Sequence, residues 1–362
     1  MITIPQHKIS KEIKSFAHKN LSEAPNVVFN ISVLLLLLIT AAEEGRSITS
    51  VAGTPNEDTI FYRLTTTISQ LETHFWSQGK EFLHRNRKKL RRMKCYLTVD
   101  ETYDSYTGYL LKKLYAKCSS KEKEYRRYIH KYKPKNGDTG SYKYLVFALV
   151  YGDKHRVLRV KALQRKEKYI DFIVETAIQI HHKINFDCVL FDRGFYNAEL
   201  VEKLQQHKVP FIIRARISKT MKKIYGIYGE WKAYEYLFKD KVRTTLVLGK
   251  LEEHQWGFLT NHKRRKWVEI REIYRQRWNI ENIFKATDGI QLRVATANPI
   301  TRMFAVCLSF IVYNLWQEQK GKYTLLGFLK NIMIIVLHQL QKVLSYRDKL
   351  KINHPFWNLC WK

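Results

Sequence analysis

The residues with the clearest capacity for chemistry are three carboxylates, Asp100, Asp192 and Glu281. Cys188 to Phe191 form a short apolar run of the kind found in a strand covered on both faces, and the run stops at Asp192. Tyr96, Leu97 and Val99 make a second strand that this pattern ends at Asp100, with Glu101 and Asp104 as neighbouring acids. Glu281 lies in EIREIYRQRWNIENIFKATDGI, residues 269–290, where the spacing predicts one helix with Tyr274, Arg277, Glu281, Lys285 and Asp288 on a single stripe. A tyrosine, a guanidinium, a carboxylate and an ammonium on one stripe are unlike a packing face, although an exposed row of ion pairs has the same spacing. Asp192 taken alone also suits a turn cap or a pair with Arg193. Two carboxylates at strand ends and one on a later helix can hold a pair of Mg²⁺ ions through oxygen. Two metals about 4 Å apart stabilise both the attacking and the departing oxygen of an in-line displacement at phosphorus. No side chain then has to be the nucleophile, in keeping with a sequence that shows no G-x-S-x-G, no P-loop and no metal-spaced His/Cys set.

These acids must be brought together by the elements around them. After the Asp100 strand come YLVFALVYG (144–152) and HRVLRVKAL (155–163), joined by Gly152-Asp153 as in a hairpin. A helix over about 165–182 leads into the Asp192 strand. Asn197 then caps a helix carrying Ala198, Val201 and Leu204 up to Pro210, and Val209 to Ile213 is the next strand. Strand, helix, strand implies a parallel crossover, and reactive groups in such sheets collect beyond the carboxyl ends of the strands. The whole order predicts an α/β, ribonuclease H-like mixed sheet. Its first and fourth strands lie side by side, so Asp100 and Asp192 would meet across 92 positions of chain. Residues 118–142, polar and Lys-rich, are expected to be a long loop. The alternating, aromatic-bearing segments of 218–268 are expected to form a β-rich insertion.

With 64 Lys and Arg against 33 Asp and Glu, the 362-residue chain carries +31, spread along its length, which makes nucleic acid the first partner to consider. The aromatic content of 13% and the long apolar runs describe a packed body beneath that charge. Five cysteines without a C-x-x-C pair point to a reducing interior rather than a disulfide scaffold or zinc finger. The most membrane-like run, Val27 to Ala42, is only 16 residues long and is read as a buried helix, with no membrane partner expected.

In residues 46–71 a short helix, a Gly53 turn and a capping box at Thr54, Pro55 and Glu57 suit a helix-turn-helix. Its second helix would hold Ile60, Leu64, Ile68 and Leu71 inward and Thr59 and Arg63 toward DNA; an ordinary helical hairpin fits as well. The basic run 84–94 suits a solvated face or a phosphate backbone. The expected divisions are 1–93, N-terminal helical and DNA-binding; 94–217, first part of the core; 218–268, insertion; 269–345, core completion with C-terminal helices; and 346–362, a basic tail.

VDETYDSYTG, VLFDRGFYN and the Y-x-x-R-x-x-x-E of Tyr274 to Glu281 together resemble the three blocks of the insertion-sequence DDE transposases of group four. That prokaryotic group has Asp-Arg-Gly and Tyr-Arg-Glu-Lys signatures. The resemblance spans roughly residues 95–317 and includes YNLW at Tyr313 to Trp316. It implies Asp100, Asp192 and Glu281 as catalytic residues and metal ligands, two Mg²⁺ per site with Mn²⁺ as substitute, and cleavage of transposon ends with joining to target DNA. Tyr274 and Arg277 would meet DNA phosphate near the cut, with Arg193 as a further DNA contact. It also implies double-stranded DNA as partner, a homodimer on DNA, and a cytoplasmic, nucleoid-associated setting. The family lysine, seven positions beyond the Glu, is here Asp288; Lys285, one turn after Glu281, is the substitute. A nuclease without strand transfer and a catalytically decayed DNA-binding protein are the alternatives.

Overall fold

Thr67 begins the first long element. Its hydroxyl accepts from the Gln70 amide at 3.2 Å while the Gln70 side chain accepts from the Thr67 amide at 2.9 Å, a reciprocal cap that starts helix α1, Ile68–Arg91. The computed structural model describes residues 13, 15–17, 19–20, 64–131, 137–219, 221–223, 233–239, 242–251, 254–264 and 266–332. The helix-turn-helix expectation with Thr59 and Arg63, the Val27 to Ala42 helix, part of the second C-terminal helix and the tail at 346–362 lie outside them. Leu64 and Leu71 do not share one helix, because Thr66 and Thr67 are extended and the helix starts afresh at Ile68.

Beyond α1 the order is β1 (Cys95–Tyr106), α2 (Ser120–Arg126), β2 (Ile129–His130), β3 (Gly140–Tyr151), β4 (Lys154–Leu163), α3 (Ile170–Ile184), β5 (Cys188–Phe191), α4 (Ala198–Gln206) and β6 (Phe211–Arg214). There follow β7 (Ala233–Phe238), β8 (Val242–Leu251), β9 (His254–Thr260), α5 (Trp267–Arg275), α6 (Trp278–Asp288) and α7 (Pro299–Glu318). The central strands run β4-β3-β1-β5-β6, with β3 antiparallel to β1 and β4, and β5 parallel to β1 and β6. This is a mixed α/β sheet of ribonuclease H-like order. The hairpin of β3 and β4 turns at Gly152, whose φ of +59° suits glycine.

Several expectations are corrected. β1 does not end at Asp100 but continues to Tyr106, all twelve residues paired with β3. The supposed loop 118–142 contains α2, β2 and the start of β3, with the Ser119 and Glu122 capping box opening α2. The β-rich insertion returns to the core through β9, which pairs antiparallel with β6 at Phe258 and Leu259, so β7 to β9 extend the same sheet. The helix at 269–290 is two helices, α5 and α6, joined through Gln276 and Arg277. There the amides of both residues bond back three positions, to Ile273 and Tyr274.

The sheet lies between two helical layers, and strand alternation assigns each side chain to one of them. Leu97 and Val99 face the layer of α3 and α4 with Leu145, Phe147 and Phe191. Tyr106, Tyr144 and Val146 face α6 and α7, and Leu190 joins Phe258, Trp267 and Tyr274 of α5 on that same side. α7 is buried almost all round. Its Asn314 side chain bonds both the Val157 amide (2.8 Å) and the Val157 carbonyl (2.9 Å), beside the register shift in the β3 and β4 pairing. Of the described helices, α7 is long and apolar enough to cross a membrane by length and composition, and it is packed inside the protein.

Candidate active site

The parallel ladder of β1 and β5 ends at Val99 opposite Phe191, so the next residue on each strand is an acid, Asp100 beside Asp192. Alternation turns both acids to the face opposite Val99 and Phe191, the face covered by α5 and α6. Asp100 Oδ1 accepts from the Glu101 amide at 2.8 Å. Asp192 Oδ1 accepts from the Arg193 amide at 2.5 Å, capping a short turn at Arg193–Phe195. The sequence signal is thus accurate for Asp192 at a strand end, while Asp100 sits mid-strand where only the β5 side of its ladder stops.

Glu281 reaches the same place through Arg277. Arg277 Nη1 lies 3.1 Å from Asp100 Oδ2, and its Nη2 lies 2.5 Å from Glu281 Oε1. One guanidinium therefore stands between a strand acid and a helix acid one turn away. Arg277 is only 5% exposed, and its ring neighbours are Tyr274 and Trp278 at 5.8 and 5.3 Å. Tyr274 is likewise buried, its ring tilted at 51° against Phe258 with centroids 4.8 Å apart. In this structure Arg277 binds Asp100 and Glu281, and Tyr274 packs in the core beside them. Arg193 and Lys285 are exposed. Asp288 is exposed by surface, yet partial burial of its carboxyl, and then the charge of nearby Asp104, raises its pKa.

The electrostatics are those of a negative site held by one cation. Burial pushes the Asp100 carboxyl up to about 6; the Glu101 amide and Arg277 oppose this, and the charges of Asp192 and Glu281 reinforce it. Burial also raises the Tyr274 phenol, with Asp192 and Asp100 adding to the effect. Arg277 stays above its ordinary value because Tyr274, Glu281, Asp192 and Asp100 outweigh its burial.

A divalent cation is the group these donors suit in chemistry: all are hard carboxylate oxygens, and a second positive charge would relieve the strain on Asp100. The buried Tyr274 hydroxyl and Arg277 Nε at the same place have no hydrogen-bond partner. Arg277 sets the spacing, however, and among the described residues no three His, Cys, Asp or Glu side chains stand close enough to hold a metal as they are.

Two neighbouring acids are accounted for otherwise. Glu101 faces the opposite helical layer, where burial alone would raise its pKa. Bonds from Tyr169 (2.7 Å), Tyr103 (2.9 Å) and Lys143 (3.2 Å) overcome that and hold it low. Asp104 forms a buried ion pair with Arg302 of α7 at 2.6 Å. The linking role of Arg277 and the Arg302 anchor are not evident in the sequence, since each depends on partners more than 170 positions away.

The sheet order, with acids at the end of its central parallel pair, is that of a ribonuclease H-like α/β core. The family model described as "Transposase DDE domain" matches residues 116–315, more than half of the chain, and the chain belongs to that family. The match includes Asp192 and Glu281 and begins after Asp100. A solved structure similar in fold is the cryo-EM structure of a piggyBac transposase synaptic complex with hairpin DNA. It shares 11% identity at a TM-score of 0.52, covering 92% of this chain and 79% of that one. Among curated proteins, none matches the chain.

Proposed function

We propose that this chain is a DNA transposase that cleaves transposon ends and joins them to target DNA at Asp100, Asp192 and Glu281. The observation that carries the reading is the register of β1 and β5, which sets Asp100 beside Asp192, together with the Arg277 bridge that ties Glu281 to Asp100. Asp100, Asp192 and Glu281 would hold divalent cations, two Mg²⁺ with Mn²⁺ as substitute. When bound, these supply charge stabilisation to the attacking and leaving oxygens of phosphoryl transfer. The protein's own part is to present the acids from a rigid strand pair backed by the buried cluster of Leu190, Phe258, Trp267 and Tyr274. Arg277 keeps the acids from repelling one another apart, and Arg193 and Lys285 present exposed charge to DNA phosphate beside the site.

The finer identity we propose is the group-four insertion-sequence type, prokaryotic and acting on nucleoid DNA as a homodimer. The Asp-Arg-Gly at Asp192 to Gly194 and the Tyr274, Arg277, Glu281 spacing support it. The division into an N-terminal DNA-binding region, a core in two parts and an insertion belongs to the same proposal.

The test is divalent-dependent nicking of the element's terminal repeats, followed by joining of a pre-cut end to a target. Wild type should do both. Asp192→Asn should lose at least about a hundred-fold in rate, since even partners outside the ligand shell are worth 10–100-fold; equal cleavage by this variant would refute the assignment. Cleavage without any joined product would make the chain a nuclease. Asp288 at the family's lysine position favours one other reading, a decayed DNA-binding protein, which binding without cleavage in Mg²⁺ or Mn²⁺ would establish.

A further inference from the structure

The strongest unassigned feature is at the far end of the sheet from the acids. Between His84 and Lys94 there are seven Lys or Arg and no Asp or Glu. This stretch forms the last two turns of α1 and the turn into β1, with Leu83 and Leu90 buried and Arg87, Lys88, Lys89, Arg91 and Arg92 exposed. α1 lies against α3, and the two meet where α3 ends. The Asn185 amide takes the His181 carbonyl at 2.7 Å. The next two carbonyls are taken from α1: Arg87 Nε and Arg91 Nε both donate to the Lys183 carbonyl, at 3.2 and 3.0 Å, and Arg91 Nη2 donates to the His182 carbonyl at 3.1 Å. A C-terminal helix end favours cations, so capping alone explains one arginine.

Capping does not explain two guanidinium groups converging on one oxygen. Like charges brought together repel, and among the described residues no carboxylate pairs with Arg87, Lys88, Lys89, Arg91 or Arg92. Glu81, the acid nearest in the helix, is engaged by Arg85. The other acids at this end are Asp153 in the β3 and β4 turn, Asp187 before β5, and Glu318 of α7, which pairs with Arg156 at 3.0 Å. Among the described residues the outer nitrogens of Arg87 have no acceptor, and its bonded Nε fixes their direction. Leu83, His84, Arg87, Gln179, His182 and Lys183 line an open cleft of about 440 Å³ here. Rigidly held arginine forks beside a basic cleft match the geometry of phosphate oxygens.

We infer that the cleft between the end of α1 and the end of α3 is a second docking surface for the phosphate backbone of duplex DNA, separate from the acid site. The choice of duplex DNA rests on the transposase reading; the surface itself rests on charge and geometry. The separation follows from topology. The arginines precede Cys95, and Asp100 lies five residues further along β1, roughly 17 Å at about 3.3 Å per residue. A phosphate held in this cleft is about five base-pair steps from one held at the acids, so the cleft suits a stretch of duplex that is bound without being cut.

The experiment uses the full chain, a labelled duplex of random sequence and EDTA, with affinity measured across a range of salt. Each lost phosphate contact lowers the slope of log affinity against log salt by about 0.9, so a double variant should lose about 1.8. Arg87→Gln/Arg91→Gln also removes caps, so the deciding protein is Lys88→Gln/Arg92→Gln, whose side chains have no partner to lose among the described residues. Both should show the reduced slope and roughly ten-fold weaker binding, and Asp192→Asn should keep the wild-type slope. A wild-type slope in Lys88→Gln/Arg92→Gln overturns the surface. Equal losses with inorganic polyphosphate overturn the commitment to duplex. Failure of the transposase reading is distinct, since it would appear as absent cleavage with these slopes unchanged.

Discussion

Arg277 is where the chemistry of the site is most exposed to test. Its guanidinium bridges Asp100 and Glu281 while Asp192 stands alongside, so three negative groups share one fixed positive charge. Removing one member of a buried ion network typically costs 3–5 kcal/mol, because the remaining charges stay desolvated. Glu281 and Asp100 retain some solvent contact, which lowers the expectation for Arg277→Gln to about 2–3 kcal/mol in the absence of metal. The sign of a metal effect is the more telling outcome. Mg²⁺ should raise the melting temperature of Arg277→Gln more than that of wild type, because a divalent ion supplies the compensation that the arginine gave. An Mg²⁺ shift no larger in Arg277→Gln than in wild type would contradict this compensation.

Among the elements, the legible ones are those whose pattern is set by burial alone. Cys188–Phe191 is apolar throughout because both helical layers cover it, and its end at Asp192 could be read directly. The further half of β1 was hidden because its polar residues are satisfied from a distance. Glu101 is held by Tyr169 and Lys143, and Asp104 by Arg302, so a strand there looks like a polar loop in sequence. The break between α5 and α6 was hidden for a different reason: apolar spacing is continuous across Gln276 and Arg277, and only the three-residue bonding reveals the tighter turn. α1 shows how close packing can reverse a propensity. Ala is a better helix former than Gly by about 1 kcal/mol, yet a Cβ on Gly79 would lie 2.3 Å from the Leu158 carbonyl oxygen of β4. Gly79→Ala is therefore expected to destabilise the protein by about 1–3 kcal/mol, measured by chemical denaturation. A gain in stability would mean that α1 is not seated on β4.

For the whole molecule, the sheet passes without a break from the hairpin through the acids to β7, so the site is built into the frame and not borne on a loop. The same frame carries strained acids that link stability to pH. Glu72 of α1 is pushed up to about 7, chiefly by burial against β4, and Asp100 to about 6. A carboxyl whose pKa is higher folded than unfolded binds its proton more tightly in the native state, so its contribution is present at low pH and is lost as pH rises. Stability should therefore fall between about pH 4 and pH 7 through these two groups. Glu72→Gln, which keeps an oxygen to accept from the Ala162 amide, should flatten that fall and gain up to about 3 kcal/mol at pH 8. An undiminished slope in the variant would place the titration elsewhere.

The central claim, that Asp100, Asp192 and Glu281 form one divalent-cation site, is tested most directly by anomalous scattering from Mn²⁺ in crystals of the protein bound to a terminal-repeat duplex. Two peaks are expected, one between Asp100 and Asp192 and one reached by Glu281, with Arg277 moved off the carboxylates. Peaks confined to other parts of the molecule, or Arg277 still bridging Asp100 and Glu281 with Mn²⁺ and DNA present, would contradict it.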